Sequence, residues 1–164
     1  MKRISLVLAA VLLAVAQGVA AHGGAKHDDG KAEMDDREQM PWGIAGDAAD
    51  AVHTVSIGMS DAMHFTPDLI RVHQGETVRF DVRNDGEVMH ELVIGTADVL
   101  AEHAALMKRF PNMEHSAPYM IHVPPGTRGE IVWTFNRSGE FDFACLIPGH
   151  LEAGMVGRIE VATE

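Results

Sequence analysis

Apolar and polar positions divide the chain into three regimes. Ile4 to Ala16 is an apolar run, residues 22 to about 49 carry no sustained apolar period, and from about Ala51 the period becomes two. A period of two sends alternate side chains to opposite faces of a strand. Val52, Thr54, Ser56 and Gly58 alternate with His53, Val55 and Ile57, and Leu69 to His73 runs into a turn at Gln74-Gly75. Thr77 to Arg83 alternates cleanly and stops at Asn84-Asp85-Gly86, a turn by composition. Val88 to Ile94 forms another run, closed by Gly95. Ala97 to Phe110 then shifts to helical spacing, with Leu100, Ala104, Met107 and Phe110 on one face and Pro111 as the stop. Tyr119 to Val123, Glu130 to Phe135, Glu140 to Ala144 and Val156 to Val161 are further short strands, separated by Pro124-Pro125-Gly126 and Arg137-Ser138-Gly139. Seven or eight short strands predict an all-β sandwich with a helix-containing insertion around residues 97–116. Its expected aromatic centre is Phe80, Trp133, Phe135 and Phe143.

The first two regimes lie outside that sandwich. Lys2 and Arg3, the apolar run and the small residues Val19, Ala20 and Ala21 read as a secretory signal over residues 1–21. The run is shorter than the ~20 residues that span a bilayer, so no membrane span is expected once the signal is cleaved. Residues 22–49 read as a flexible acidic segment bearing His and Met, because so polar a stretch buries too little surface to offset chain entropy. Trp42-Gly43-Ile44-Ala45-Gly46 is the apolar island expected to dock onto the domain at 50–164.

Charge and sulfur narrow the chemistry. Without residues 1–21 the chain has 11 Lys and Arg against 24 Asp and Glu, a formal charge of −13. That excludes nucleic acid, which calls for a basic face, and favours cations. The single cysteine, Cys145, has no intramolecular partner for a disulfide. A lone thiol outside the cell is a liability unless it is buried, paired between chains or bound to a metal. Ten His and ten Met favour the metal.

Cys145, His150 and Met155 sit on one predicted loop between strands, in the pattern Cys-x4-His-x4-Met. The Pro148-Gly149 turn and Gly154 let such a loop fold back so that thiolate, imidazole and thioether converge. A fourth donor must come from elsewhere, and His90, at the start of a strand, is the best placed. Two imidazoles, a thiolate and a distant thioether suit copper in a blue-copper centre, whereas zinc prefers four strong ligands.

At this point the sequence resembles the cupredoxin family of type 1 copper proteins. The likeness is loose over residues 50–162 and close over 139–157, where Phe-x-x-Cys and Pro-Gly-His-x4-Met are specific. The Pro124-Pro125-Gly126 turn before Trp133-Thr134-Phe135 and the segment Arg71 to Val78 follow the same pattern. The resemblance implies a Greek-key sandwich, with copper held by His90, Cys145 and His150 and with Met155 axial. It is greatest to periplasmic cupredoxins of bacterial copper tolerance. That narrower likeness rests on Trp42 to Gly46, Glu102-His103-Ala104, Phe110 to His115 and Ala144 to His150. One departure is Glu91, where many cupredoxins have Asn or Ser after the first histidine. It implies altered hydrogen bonding around the ligands and a more tetragonal, greenish centre.

Further His and Met residues offer auxiliary copper ligands, thioether favouring Cu(I) and imidazole either state. They are His22, His27, Met59, Met63, His64, His103, Met113, His115, Met120 and His122. The expected function is periplasmic copper tolerance and copper handling by a monomer. Its partners are copper ions and a periplasmic redox or copper-transfer protein. The alternative is a soluble electron carrier, docking through an apolar rim of Leu146, Ile147 and Leu151 around His150. No nucleophile elbow, Walker loop or dinucleotide loop is present, and one domain with one site is too little for a multicopper enzyme, so no catalysis is expected.

Overall fold

The computed structural model describes residues 37–111 and 115–163. The predicted signal, the tail carrying His22 and His27, and Met113 lie outside the described residues.

Among the described residues ten strands and one α-helix, besides a single 3-10 turn at Ala48–Asp50, follow in chain order: β1 (Ile44–Ala45), β2 (His53–Ser60), β3 (His64–Thr66), β4 (Leu69–His73), β5 (Thr77–Asn84), β6 (His90–Gly95), α1 (Ala97–Arg109), β7 (Met120–Val123), β8 (Arg128–Thr134), β9 (Gly139–Ala144) and β10 (Val156–Ala162). They form two five-stranded sheets, ordered β1-β8-β5-β2-β3 and β4-β10-β9-β6-β7. The pairings β2–β5 and β10–β4 are parallel and the others antiparallel. This is the expected β-sandwich with a helical insertion.

Alternation decides which faces meet. Val78, Phe80 and Val82 of β5, Ile131 and Trp133 of β8, Phe141 and Phe143 of β9, and Ile159 and Val161 of β10 interleave between the sheets. The four expected aromatic residues are all fully or almost fully buried there. Phe143 meets Phe65 edge-on at 4.9 Å, and Phe80 meets Phe135 at 6.1 Å. Opposite Phe143 in the β9–β10 register stands Gly157, where a Cβ would lie 2.1 Å from the ring. Hydrogen alone leaves room for the ring at that position.

Strand β6 does not alternate, and every residue in it is buried. One of its faces looks into the sandwich. On the other side Val93 packs with Leu100 and Ala104 of α1, Met120, Ala144 and Leu146 in a second apolar cluster. A strand covered on both faces reads as a continuous apolar run, as Leu92 to Ile94 does, while the buried His90 and Glu91 before it are the polar exceptions. Thr96 caps α1, its hydroxyl accepting from the Val99 N–H. Leu100, Ala104 and Met107 form the buried face, as expected, but Phe110 does not. It is half exposed at the C-cap, where the chain has left helical geometry, and the Arg109 guanidinium lies over its ring.

The ordered body begins earlier than residue 50. Ile44 and Ala45 pair with Thr134 and Trp133, and Trp42 is fully buried. The Trp42 carbonyl accepts a 3.1 Å bond from Trp133 Nε1, and Tyr119 stacks edge-on against both indoles. The apolar island Trp42 to Gly46 thus packs against β8.

Candidate metal centre

Three short segments converge at one end of the sandwich. The loop between β9 and β10 begins at Cys145, which is fully buried, and carries His150, half-buried, and Met155, fully buried. Its backbone closes on itself: Cys145 N–H donates to the Met155 carbonyl at 3.1 Å and Met155 N–H to the His150 carbonyl at 3.0 Å. Glu152 fixes the middle, accepting from Gly149 N–H at 3.1 Å and pairing with Lys108 of α1. Cys145 Sγ and His150 Nδ1 are 3.2 Å apart.

His90 reaches these two from β6. Ligand atoms of His90, Cys145 and His150 all lie within 4.8 Å of one another. The two imidazole rings are 5.0 Å apart. His90 is fully buried, its Nε2 meets Asp61 Oδ1 at 3.2 Å, and its Nδ1 is buried with no hydrogen-bond partner. A buried imidazole nitrogen without a partner is costly and rare unless something binds it. The orphaned nitrogen, a thiol and a second imidazole are the equatorial donor set of a type 1 copper site, so the residues present fit that metal.

Two residues that the sequence did not single out hold His90 in place. Asp61, in the turn between β2 and β3, accepts from the backbone N–H groups of Glu87 at 2.8 Å and Val88 at 3.4 Å while orienting the His90 ring. The Glu87 N–H, first among several donors, holds the Asp61 carboxyl below its ordinary range. Asn84, fully buried at the end of β5, donates to the Val88 and Val123 carbonyls and accepts from Gly86 N–H. It pins the turn that delivers His90. No local pattern announces either role.

Glu91 ties the two ligand-bearing segments together. Its N–H points at Cys145 Sγ at 3.5 Å, and its carboxylate Oε1 accepts from Leu146 N–H at 2.8 Å. The side chain is fully buried. Its Oε2 lies 2.8 Å from His122 Nε2, near enough for an ion pair but without hydrogen-bond alignment. Desolvation raises the Glu91 carboxyl above its ordinary value, against the pull of His122.

Burial also pushes the Cys145 thiol up to about 12, from 9.0. In the metal-free protein the thiol therefore stays protonated, with about a thousandfold less thiolate than a free cysteine at neutral pH. The linkage follows: this contribution to stability is complete below 9.0 and is lost as pH rises towards about 12. Iodoacetamide alkylation of the metal-free protein is expected to be slow at neutral pH and to accelerate only in strong alkali. Rapid reaction at pH ~7 in the folded state would contradict the burial described.

The other predicted ligands scatter. Met59 is 1 % exposed in the main core beside Phe65, so its thioether packs instead of facing solvent with Met63 and His64. Met63 is partly buried against the same core, and His64 is exposed on β3. Met120 is buried in the cluster under α1. His103, His115 and His122 do come together. His103 Nε2 lies 2.8 Å from His115 Nε2, and the rings of His115 and His122 are 5.5 Å apart. Leu146 is buried, contrary to the expected apolar rim, because the helix covers it. Ile147 and Leu151 are half-buried, and Val88 and Met89 are the exposed apolar residues near His90.

Comparison with known proteins points to the same metal. Residues 51–162 match the model of the copper binding proteins of the plastocyanin/azurin family. The chain is 47 % identical to the copper-resistant cuproprotein CopI of Rubrivivax gelatinosus over 157 residues, 95 % of this chain and 93 % of that protein. It is 32 % identical to the CopI of Pseudomonas aeruginosa, over 96 % of this chain and 94 % of that one. Among solved structures, reduced auracyanin from Roseiflexus castenholzii superposes with a TM-score of 0.59 at 23 % identity, covering 68 % of this chain and 98 % of auracyanin, a likeness of fold.

Proposed function

The chain belongs to the plastocyanin/azurin family of copper-binding proteins, and on that premise we propose that it is an exported copper-resistance cupredoxin working in the periplasm. One type 1 copper would be held by His90, Cys145, His150 and Met155. The observation that carries the ligand set is the convergence of His90, the buried Cys145 thiol and His150, whose ligand atoms lie within 4.8 Å of one another, with His90 Nδ1 buried and unpartnered. The resistance role draws its support from similarity to CopI proteins along nearly the whole chain. Copper bound here supplies an intense thiolate-to-metal absorption and a one-electron couple. The protein's own residues do the rest: Asp61 orients His90, Glu91 links the two ligand segments, and the core holds Met155 away from solvent.

Deleting the gene and growing cells on graded copper tests the role. Raised sensitivity, restored by the intact gene, is expected, and unchanged growth would refute it. Replacing Met155 with leucine should leave copper bound and raise the reduction potential, because a weak thioether donor would be lost while three strong ones remain. Voltammetry of the purified variant reads this, and an unchanged potential would remove Met155 from the ligand set.

Electron transfer is the second reading, favoured by the half-buried His150 next to Ile147 and Leu151. A patch of this kind docks a redox partner weakly. Rapid reversible reduction by a periplasmic cytochrome would support it, and a sluggish centre would not.

A further inference from the structure

We propose that Glu91, His103, His115 and His122 form a second metal site, which takes a cupric ion in tetragonal geometry. The four residues come from three places. Glu91 and His122 stand directly opposite each other in the β6–β7 register, His103 projects from α1, and His115 lies on the segment between α1 and β7. Ligand atoms of Glu91, His115 and His122 lie within 4.8 Å of one another, and His103 joins through His115 at 2.8 Å.

Burial points to a ligand. Glu91 is fully buried, yet its Oε2 makes no aligned hydrogen bond. A desolvated carboxylate oxygen left in that state is costly unless a cation completes it. The three imidazoles supply neutral donors beside it. His122 is exposed and His103 and His115 half-buried, so an ion can reach the carboxylate from solvent.

The donors favour one metal. Three imidazoles and a carboxylate oxygen make an N,O set, which suits Cu(II) in tetragonal coordination. The donor set contains no sulfur, so the site is matched to the oxidised ion. It shares one residue step with the first centre, since Glu91 follows His90 in the chain.

Cupric ion titrated into the purified full-length mature protein tests this, with metal analysis, visible absorption and paramagnetic resonance read together. Two tightly held coppers per chain are expected, the second giving a resonance of wide hyperfine splitting and no thiolate absorption. The double variant His103→Ala/His115→Ala should lose one copper and that resonance while keeping the visible band, which also reports that it has folded. His103→Gln, a milder change, should weaken the second site at least tenfold. Conversely, Cys145→Ser should lose the band and keep the second resonance, so failure of one site is read separately from failure of the other. A copper count and resonance unchanged in the double variant, as binding by His22 and His27 would produce, would overturn the proposal.

Discussion

Cys145→Ser will abolish the visible absorption of the copper-loaded protein outright. The band arises from charge transfer out of a thiolate, and the chain has no second cysteine to supply one. A serine hydroxyl at this buried position does not ionise at neutral pH and is a poor ligand for a soft site. Copper affinity should fall steeply as well, because His90 and His150 are then left as the only strong equatorial donors. Absorption spectroscopy with metal analysis reads both effects. A variant that keeps its colour would refute the ligand assignment.

Glu91→Ala should have the next largest effect, and on two observables. It deletes the acceptor of the Leu146 N–H, which lies in a fully buried place, and leaves a cavity beside it. An unsatisfied buried donor together with lost packing costs about 3 kcal/mol. It also unties the Cys145 loop from β6, so the thiolate band of the loaded protein should shift and broaden. Glu91→Gln keeps an oxygen for Leu146 and should lose no more than about 1 kcal/mol, with a nearly unchanged band. Denaturant unfolding and absorption spectra distinguish the pair. Equal losses in both variants would mean that the charge, not the hydrogen bond, is what holds the loop.

Glu91 also shows where sequence reading reaches its end. Its difference from the Asn or Ser of many cupredoxins was legible, and the difference suggested altered hydrogen bonding around the ligands. The structure shows a connection made by other means, since a longer carboxylate spans to Leu146, 55 residues away. Asp61 was not legible at all. It acts on His90 across 29 residues, through a turn whose composition says only that it is a turn. Met59 looked like one of a group of ligands because it lies near Met63 and His64 in sequence. Strand alternation sends it into the core, while His64 stands exposed on the partner strand.

The strands themselves were mostly visible because alternation is a local consequence of the pleat. The two that were not, Ile44–Ala45 and His64–Thr66, are too short to display a period. The first exists because Trp133 and Thr134 offer it an edge.

By itself, then, the order of residues determined the alternating faces, the helix and the chemical kinds of donor available, with Cys145, His150 and Met155 confined to one loop. Only the packed sheets decided which of ten histidines meet. Spacing along a chain constrains distance over a turn or a short loop. Beyond that, two side chains approach only if strand register and buried contacts repay the entropy of closing the intervening chain. Here they bring His90 to the thiol, Asp61 to His90, and His115 and His122 to a buried carboxylate.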